Sequence, residues 1–381
     1  MKHNRYLFLI LTLAAYFPAA AQTTQLLVAK NAVGKLQAAI SNKADEKTQL
    51  GILGEGIKAS ENASKDRKTR KYPETWAINA YLASYVAILD KDEANSDRHF
   101  KMAQAAIDSA KRLDRFQDNS GLIAASVHNI YIKRQDKGNT AFKENDFKAA
   151  FDELKAVSDF LPKDTALAVN AAIAAQNMKN YDEALVYFNR GIENGVKNPA
   201  VFQNMAYIYS AKFLPEDAIR ILEKGISVNP FNTFLNNDYI NLLLDNEKFE
   251  KATTVIDATL KVEKTSKLLY YLYGYLQQTT KNNNQTAQLA YNKAIDLDQN
   301  YFDALYQLGL AYINSANESI RGATKNLEQF NSLINRAQLS LMHAHEVNPN
   351  DRQTIQLLIE IYSRKNSLDK VQELKQKLQE L

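Results

Sequence analysis

Apolar residues recur every three or four positions along nearly the whole chain, the spacing that lines one face of a helix. In the first third this pattern predicts helices over Gln25 to Ile40, Lys47 to Ala63, Pro73 to Leu89 and Arg98 to Leu113. A longer one starts near Leu122 and runs on into Gly138. Pro73 suits a first helical position, where its missing N–H costs nothing. Charged and polar stretches such as Asp90 to Asp92 and Lys281 to Asn284 break the periodicity and read as turns.

Further along, the pattern repeats. Pro162, Pro230 and Pro349 each follow an Ala by twelve residues (Ala150, Ala218, Ala337) and a Leu by eight (Leu154, Leu222, Leu341). The clearest unit runs from Pro199 to Pro230. Phe202, Met205, Ala206 and Tyr209 mark its first helix, and Ala218, Leu222 and Gly225 its second. Small residues recur where two helices must approach closely, and large ones fill the space between.

Neighbouring stretches carry the same marks. Before it stand Gly138, Phe147, Ala150, Leu154 and Pro162, then Ala171, Ala172, Ala175, Tyr181, Ala184, Phe188 and Gly191. After it come Asn236, Tyr239, Leu243, Phe249, Ala252 and Ile256 at a 34-residue step, then Tyr270, Gly274, Ala287, Tyr291 and Ala294 with one residue more. Leu305, Leu308, Gly309, Ala311 and Tyr312 open a sixth unit. Its second helix (Ala337, Leu341, Ala344) arrives about 16 residues late, which predicts lengthened helices or a loop near Asn317. Ile355, Leu358, Tyr362, Leu368, Val371 and Leu374 form a terminal pair whose last helix is polar outside, as a cap should be.

These positions resemble the tetratricopeptide repeat (TPR). The resemblance covers residues 131–381 in about seven units, with an extended sixth over 302–349. It implies an all-α fold, a right-handed superhelical solenoid of antiparallel helix pairs. Residues 22–130 read as divergent helix pairs on the same superhelix, or as a separate small helical domain; Trp76, Ala80 and Ala83 look like a degenerate repeat opening.

The resemblance also implies a binding role. In such repeats the first helix of each pair lines a concave groove that takes extended peptides. The groove positions here are Asp136, Asn139 and Phe142; Asn170, Gln176 and Asn177; Gln203, Asn204 and Tyr207; Asn237, Asp238 and Asn241; Tyr271, Tyr275 and Gln278; and Tyr306 with Gln307. Asp136, Asn170, Asn204 and Asp238 follow one another at 34 residues. Such a row either meets a ligand with evenly spaced polar groups, such as a peptide backbone, or reflects a residue type common at that position. Repeats that clamp acidic chaperone tails need two Lys and an Arg. Gln135, Ala200 and Asn204 stand there instead, so that role is rejected. The expected function is an exported scaffold or adaptor that binds protein segments in a neutral Asn, Gln and Tyr groove. The alternative is a module for cell-wall glycan or peptidoglycan.

Composition narrows the picture. Only 12 Gly and 7 Pro in 381 residues favour helix, and the absence of Cys removes disulfides, thiolate metal sites and cysteine nucleophiles. Met1 to Ala21 carries Lys2, His3 and Arg5, an apolar stretch from Leu7 to Phe17, then Pro18 and three alanines. This is the order of a cleaved secretory signal, with cleavage expected between Ala21 and Gln22 and a periplasmic destination. Removing Lys2 and Arg5 from the formal +4 leaves about +2, so no nucleic-acid partner is expected. The one dense basic run (Lys65, Arg67, Lys68, Arg70, Lys71) reads as a solvated interhelix loop.

No catalytic, cofactor or metal site emerges. His343 and His345 are two apart on a helix and cannot share a face; His99 and His128 stand alone. Gly51, Gly54 and Gly56 follow no strand, so close helix packing explains them better than phosphate binding.

Overall fold

The computed structural model describes residues 24–321 and 325–381. The expected signal segment and its cleavage point lie outside the described residues. Among these residues there are eighteen α-helices and no strand. They fall into two compact units that divide between Val196 and Lys197.

The first unit holds α1 (24–41), α2 (Glu46–Lys65), a short 3-10 turn (Thr69–Lys71), α3 (Pro73–Leu89), α4 (Glu93–Leu113), α5 (Ser120–Lys143), α6 (Phe147–Phe160), α7 (Thr165–Asn177) and α8 (Tyr181–Glu193). Helix α3 is apolar nearly all round and is buried accordingly, with α2, α4 and α5 packed on it. Pro73 takes its first turn, as expected. Packing explains only one of the three α2 glycines. A Cβ on Gly56 would lie 2.7 Å from the Ala32 Cβ, whereas Gly51 and Gly54 have nothing within 4 Å.

The second unit holds α9 (Pro199–Ala211), α10 (Pro215–Val228), α11 (Thr233–Asp245), α12 (Phe249–Val262), α13 (Lys267–Lys281), α14 (Asn284–Leu297), α15 (Phe302–Ser319), α16 (Leu327–Val347), α17 (Arg352–Arg364) and α18 (Leu368–Glu380). Odd-numbered helices open each pair. Their starts, at 165, 199, 233, 267 and 302, step by 34, 34, 34 and 35 residues, and 352 follows after 50. The extra 16 residues of the sixth unit are shared out. Relative to α9 and α10, helix α15 is five residues longer, α16 is seven longer, and the connection between them is four longer. The insertion expected near Asn317 is thus mostly added helix, and Asn317 itself lies inside α15.

Three local devices recur among the pairs, the first two at or near the repeat step. Asp164, Asn198, Asn232 and Ser266, each 34 apart, cap α7, α9, α11 and α13 by accepting a hydrogen bond from a first-turn N–H. Asn145, Lys179, Phe213, Glu247 and Asn282 adopt left-handed backbone (φ of 49–62°) in the turn inside each pair. That conformation costs a non-glycine residue about 1 kcal/mol, so the turn geometry is imposed by the helices it joins. Small residues face large ones where paired helices cross. A Cβ on Gly138 would meet Leu154 at 2.8 Å, on Gly225 Phe202 at 2.8 Å, on Gly274 Tyr291 at 2.7 Å and on Gly309 Leu341 at 2.6 Å.

Within each unit the helices pack on the next one along the chain, and α3 also packs on α5, α9 on α11 and α13 on α15. No helix buries its apolar face alone, so stability comes from stacking. Of the largest fully buried side chains, Phe202 and Tyr291 sit at such crossings, against Gly225 and Gly274.

The last pairs contain a titrating contact. The Nδ1 of His345, on α16, is buried without a hydrogen-bond partner, and its Nε2 lies 3.4 Å from the Lys377 Nζ on α18. Burial, and then the Lys377 charge, hold the imidazole below its usual 6.5, against an opposite pull from Glu373 and Glu346. The unfolded chain therefore takes up a proton near pH 6.5 that the folded chain resists, and stability falls as pH drops through that value. Urea midpoints measured between neutral and mildly acidic pH should fall, and His345→Gln should flatten the fall. An equal fall in the variant would assign it to other groups.

Candidate functional site

The first helix of each pair packs one side against its partner helices and leaves the other open. Helical geometry places residues seven apart on nearly one line. On α9 that line carries Ala200 and Tyr207, on α11 Phe234 and Asn241, and on α13 Leu268 and Tyr275; all six are exposed. Four of them are large and apolar: Tyr207 is 59% exposed, Phe234 71%, Leu268 53% and Tyr275 41%.

The expected groove residues divide by what holds them. In the second unit, the Gln203 Nε2 donates to the Asp238 Oδ2 at 2.5 Å, joining the open faces of α9 and α11. Asp238 thus already serves the protein's own structure, while Asn237 and Asn241 stay exposed and Asn204 is half-buried. Tyr271 packs among tyrosines, with ring centres 5.5 Å from Tyr301, 6.0 Å from Tyr291 and 6.3 Å from Tyr275. Burial, followed by the nearby Asp303 carboxylate, pushes its phenol up to about 12. Tyr271 is therefore a brace beneath Tyr275. Gln278 is buried and accepts from the Tyr291 hydroxyl at 2.8 Å. The Tyr306 hydroxyl donates to the Gln353 Oε1 on α17 at 3.1 Å, and Gln307 is half-buried.

In the first unit, Asp136 is exposed and 4.0 Å from Lys133, and Asn139 is half-buried. Phe142 stands edge-on to Phe147, ring centres 5.5 Å apart. Asn170 is exposed; Asn177 is exposed too, and its Nδ2 donates to the Ile173 carbonyl within α7. The Gln176 Oε1 is buried with no partner. The repeat gives the reason. Gln176 and Phe188 occupy the positions of Gln278 and Tyr291, and Phe188 lacks the hydroxyl that would donate.

Phe234 and Leu268 did not figure among the expected groove residues. Their signal was present, since each stands seven residues before a groove position (Asn241, Tyr275) on the same helix. Their exposure makes the second unit's open face more apolar than an amide row alone would be. The two polar-tipped rings of Tyr207 and Tyr275, the Phe234 ring and the Leu268 side chain together can pack against apolar side chains, while Asn241 and Asn204 offer both donors and acceptors to a backbone. Among the described residues, no group of three His, Asp or Glu could hold a metal ion, and no helix is long and apolar enough to cross a membrane.

No protein-family model matches the sequence, and no curated protein matches it. Solved structures do resemble it. The C-terminal part of a TPR repeat-containing protein from Cytophaga hutchinsonii shares 14% identity, over 63% of this chain and 92% of its own, with a TM-score of 0.46. YrrB, described as a TPR protein with an unusual peptide-binding site, shares 15% over 53% and 96%, with a TM-score of 0.40. MamA shares 20% over 48% and 90%, also with a TM-score of 0.40. By its own 34-residue step, its small-against-large crossings and its packing of helices close in sequence, the chain is an all-helical repeat protein with the tetratricopeptide architecture.

Proposed function

We propose that this protein is an interaction scaffold that holds an extended protein segment against the open face of α9, α11 and α13. The reading includes export, with the scaffold working in the periplasm after loss of residues 1–21. One observation carries the binding role: Tyr207, Phe234, Leu268 and Tyr275 are exposed on helices that bury their other faces. Exposed apolar side chains gathered on one face mark interaction sites, and aromatic anchors supply most of the energy where they do. Asn241 lies on the same line as Phe234 and would hydrogen-bond the segment's backbone. The alternative, a glycan ligand, would stack on the tyrosine and Phe234 rings and use the amides but gain nothing from the aliphatic Leu268.

The test follows from that difference. A photoreactive residue at Asn241 should trap one protein partner in the native host, identified by mass spectrometry. Phe234→Ala with Leu268→Ala should cut capture at least about tenfold, the effect of losing one good anchor. Retained capture in a variant that also carries Tyr207→Ala and Tyr275→Ala would sink the face. Retention on peptidoglycan that Leu268→Ala leaves unchanged, with no protein partner trapped, would support the glycan reading instead.

A further inference from the structure

The basic run lies between α2 and α3 with its cations exposed, as expected, except that Lys65 is the last residue of α2. Asp66, its one acid, is turned to the backbone. Its Oδ1 accepts from the Thr69 N at 2.9 Å and the Lys68 N at 3.0 Å. Those bonds hold its carboxyl below the usual range. Thr69 is fully buried and donates its hydroxyl to the Ala63 carbonyl, 2.6 Å away. Thr75, also buried, donates to the Thr69 carbonyl at 2.8 Å, and the Trp76 indole to the Arg70 carbonyl at 2.8 Å. Four side chains thus pin a seven-residue turn whose other members all point outward.

Arg67, Lys68, Arg70 and Lys71 are all exposed, and none makes an ion pair among the described residues. The nearest acids in sequence are engaged elsewhere, Glu61 with Lys65 and Arg98, and Glu74 with Lys30. The fold therefore concentrates four unmatched cations on a rigid turn, at some electrostatic expense to itself. Tyr72 is exposed in the same turn and Trp76 is half-exposed beneath it. Cations beside amphipathic rings suit the level of lipid headgroups, where phosphate is dense and the ring edge sits at the apolar boundary.

We propose that this turn docks the protein onto an anionic lipid surface through headgroup phosphates. Arg67 and Arg70 would bind phosphate in forked hydrogen bonds, and Lys68 and Lys71 would add charge. The contact is peripheral, since no described helix crosses a membrane. It is carried by the first unit and does not depend on the face of α9, α11 and α13.

The experiment is vesicle co-sedimentation of the full chain at low and high salt, with phosphatidylcholine alone and with about 30% phosphatidylglycerol. The expected result is retention on the anionic vesicles only, released by salt. Arg67→Gln, Lys68→Gln, Arg70→Gln and Lys71→Gln together should weaken retention at least about tenfold with an unchanged far-ultraviolet helix spectrum. If the quadruple variant fails to fold, Arg67→Gln with Lys71→Gln is the substitute, with a smaller loss in the same direction. No retention at low salt, or equal retention by the variants, overturns the proposal. So does variant-sensitive binding to polyphosphate or single-stranded DNA without vesicle binding, which would assign the turn to a soluble polyanion.

Discussion

Tyr291→Ala is expected to lower the unfolding free energy of the second unit by about 3–5 kcal/mol, the usual loss for an aromatic removed from a core. Tyr291 is fully buried, and its ring lies against Gly274, which has no side chain to move into the space left behind. Tyr271, whose ring centre is 6.0 Å away, would lose one of the rings it packs against, so the damage should reach the open face through Tyr275. Tyr291→Phe separates ring from hydroxyl. It keeps the packing but strands the buried Gln278 Oε1, which should cost about 1–3 kcal/mol. Urea midpoints of the two variants decide the matter. A loss for Tyr291→Ala no larger than for Tyr291→Phe would mean that the site collapses onto Gly274 after all.

The second large effect is a reversal of sign. Alanine is favoured over glycine inside a helix by about 1 kcal/mol. At Gly54, on an exposed turn of α2 with nothing within 4 Å, Gly54→Ala should stabilise by about that amount. At Gly309 the same methyl would lie 2.6 Å from the Leu341 Cγ and 2.7 Å from its Cδ2. Leu341 is fully buried in the core cluster around α15 and α16. The strain of overpacking, about 1–3 kcal/mol, should exceed the helical gain, so Gly309→Ala is expected to destabilise on balance. Thermal unfolding of both variants beside the parent gives the comparison. A stabilised Gly309→Ala would show that α15 and α16 can move apart.

The fold was legible because its determinants are local and repeated. The step from Gly138 through Ala172 and Ala206 to Gly274 puts a small residue at every 34th position but one, Ile240, and such residues can be counted in a sequence. The irregular sixth unit was legible as a delay of 16 residues. Its division among two helices and a turn was not, because helix length there depends on the partner helix α16 and not on any breaker near Asn317.

The open face was read less well, for a different reason. Whether a groove residue is available depends on its neighbour in the next pair. Asp238 takes the Gln203 amide, Tyr306 reaches Gln353, and Tyr271 sinks among three rings. Those pairings arise from distances between helices, which no single unit of sequence contains. Phe234 and Leu268 were missed because the positions carried over from the resemblance omit the first turn of each helix. The basic run was legible as an exposed segment between helices, but not in its charge balance. Its composition was visible, but the inward turn of Asp66, which converts a mixed loop into an unmatched cationic one, is a hydrogen-bonding outcome.

The left-handed residue inside each pair has a practical side. Asn, Lys, Phe, Glu and Asn occupy that position in successive pairs with φ values within 13° of one another. A site that accepts an amide, a cation, a bare phenyl ring and an acid in the same backbone pose places almost no demand on its side chain. Phe213, 90% exposed there, is anchored by nothing but its own main chain. Such a position works as a display socket. A label, an affinity handle or an inserted epitope could be mounted at Phe213 or Glu247 and read out one repeat at a time, with the helices on either side left as they are.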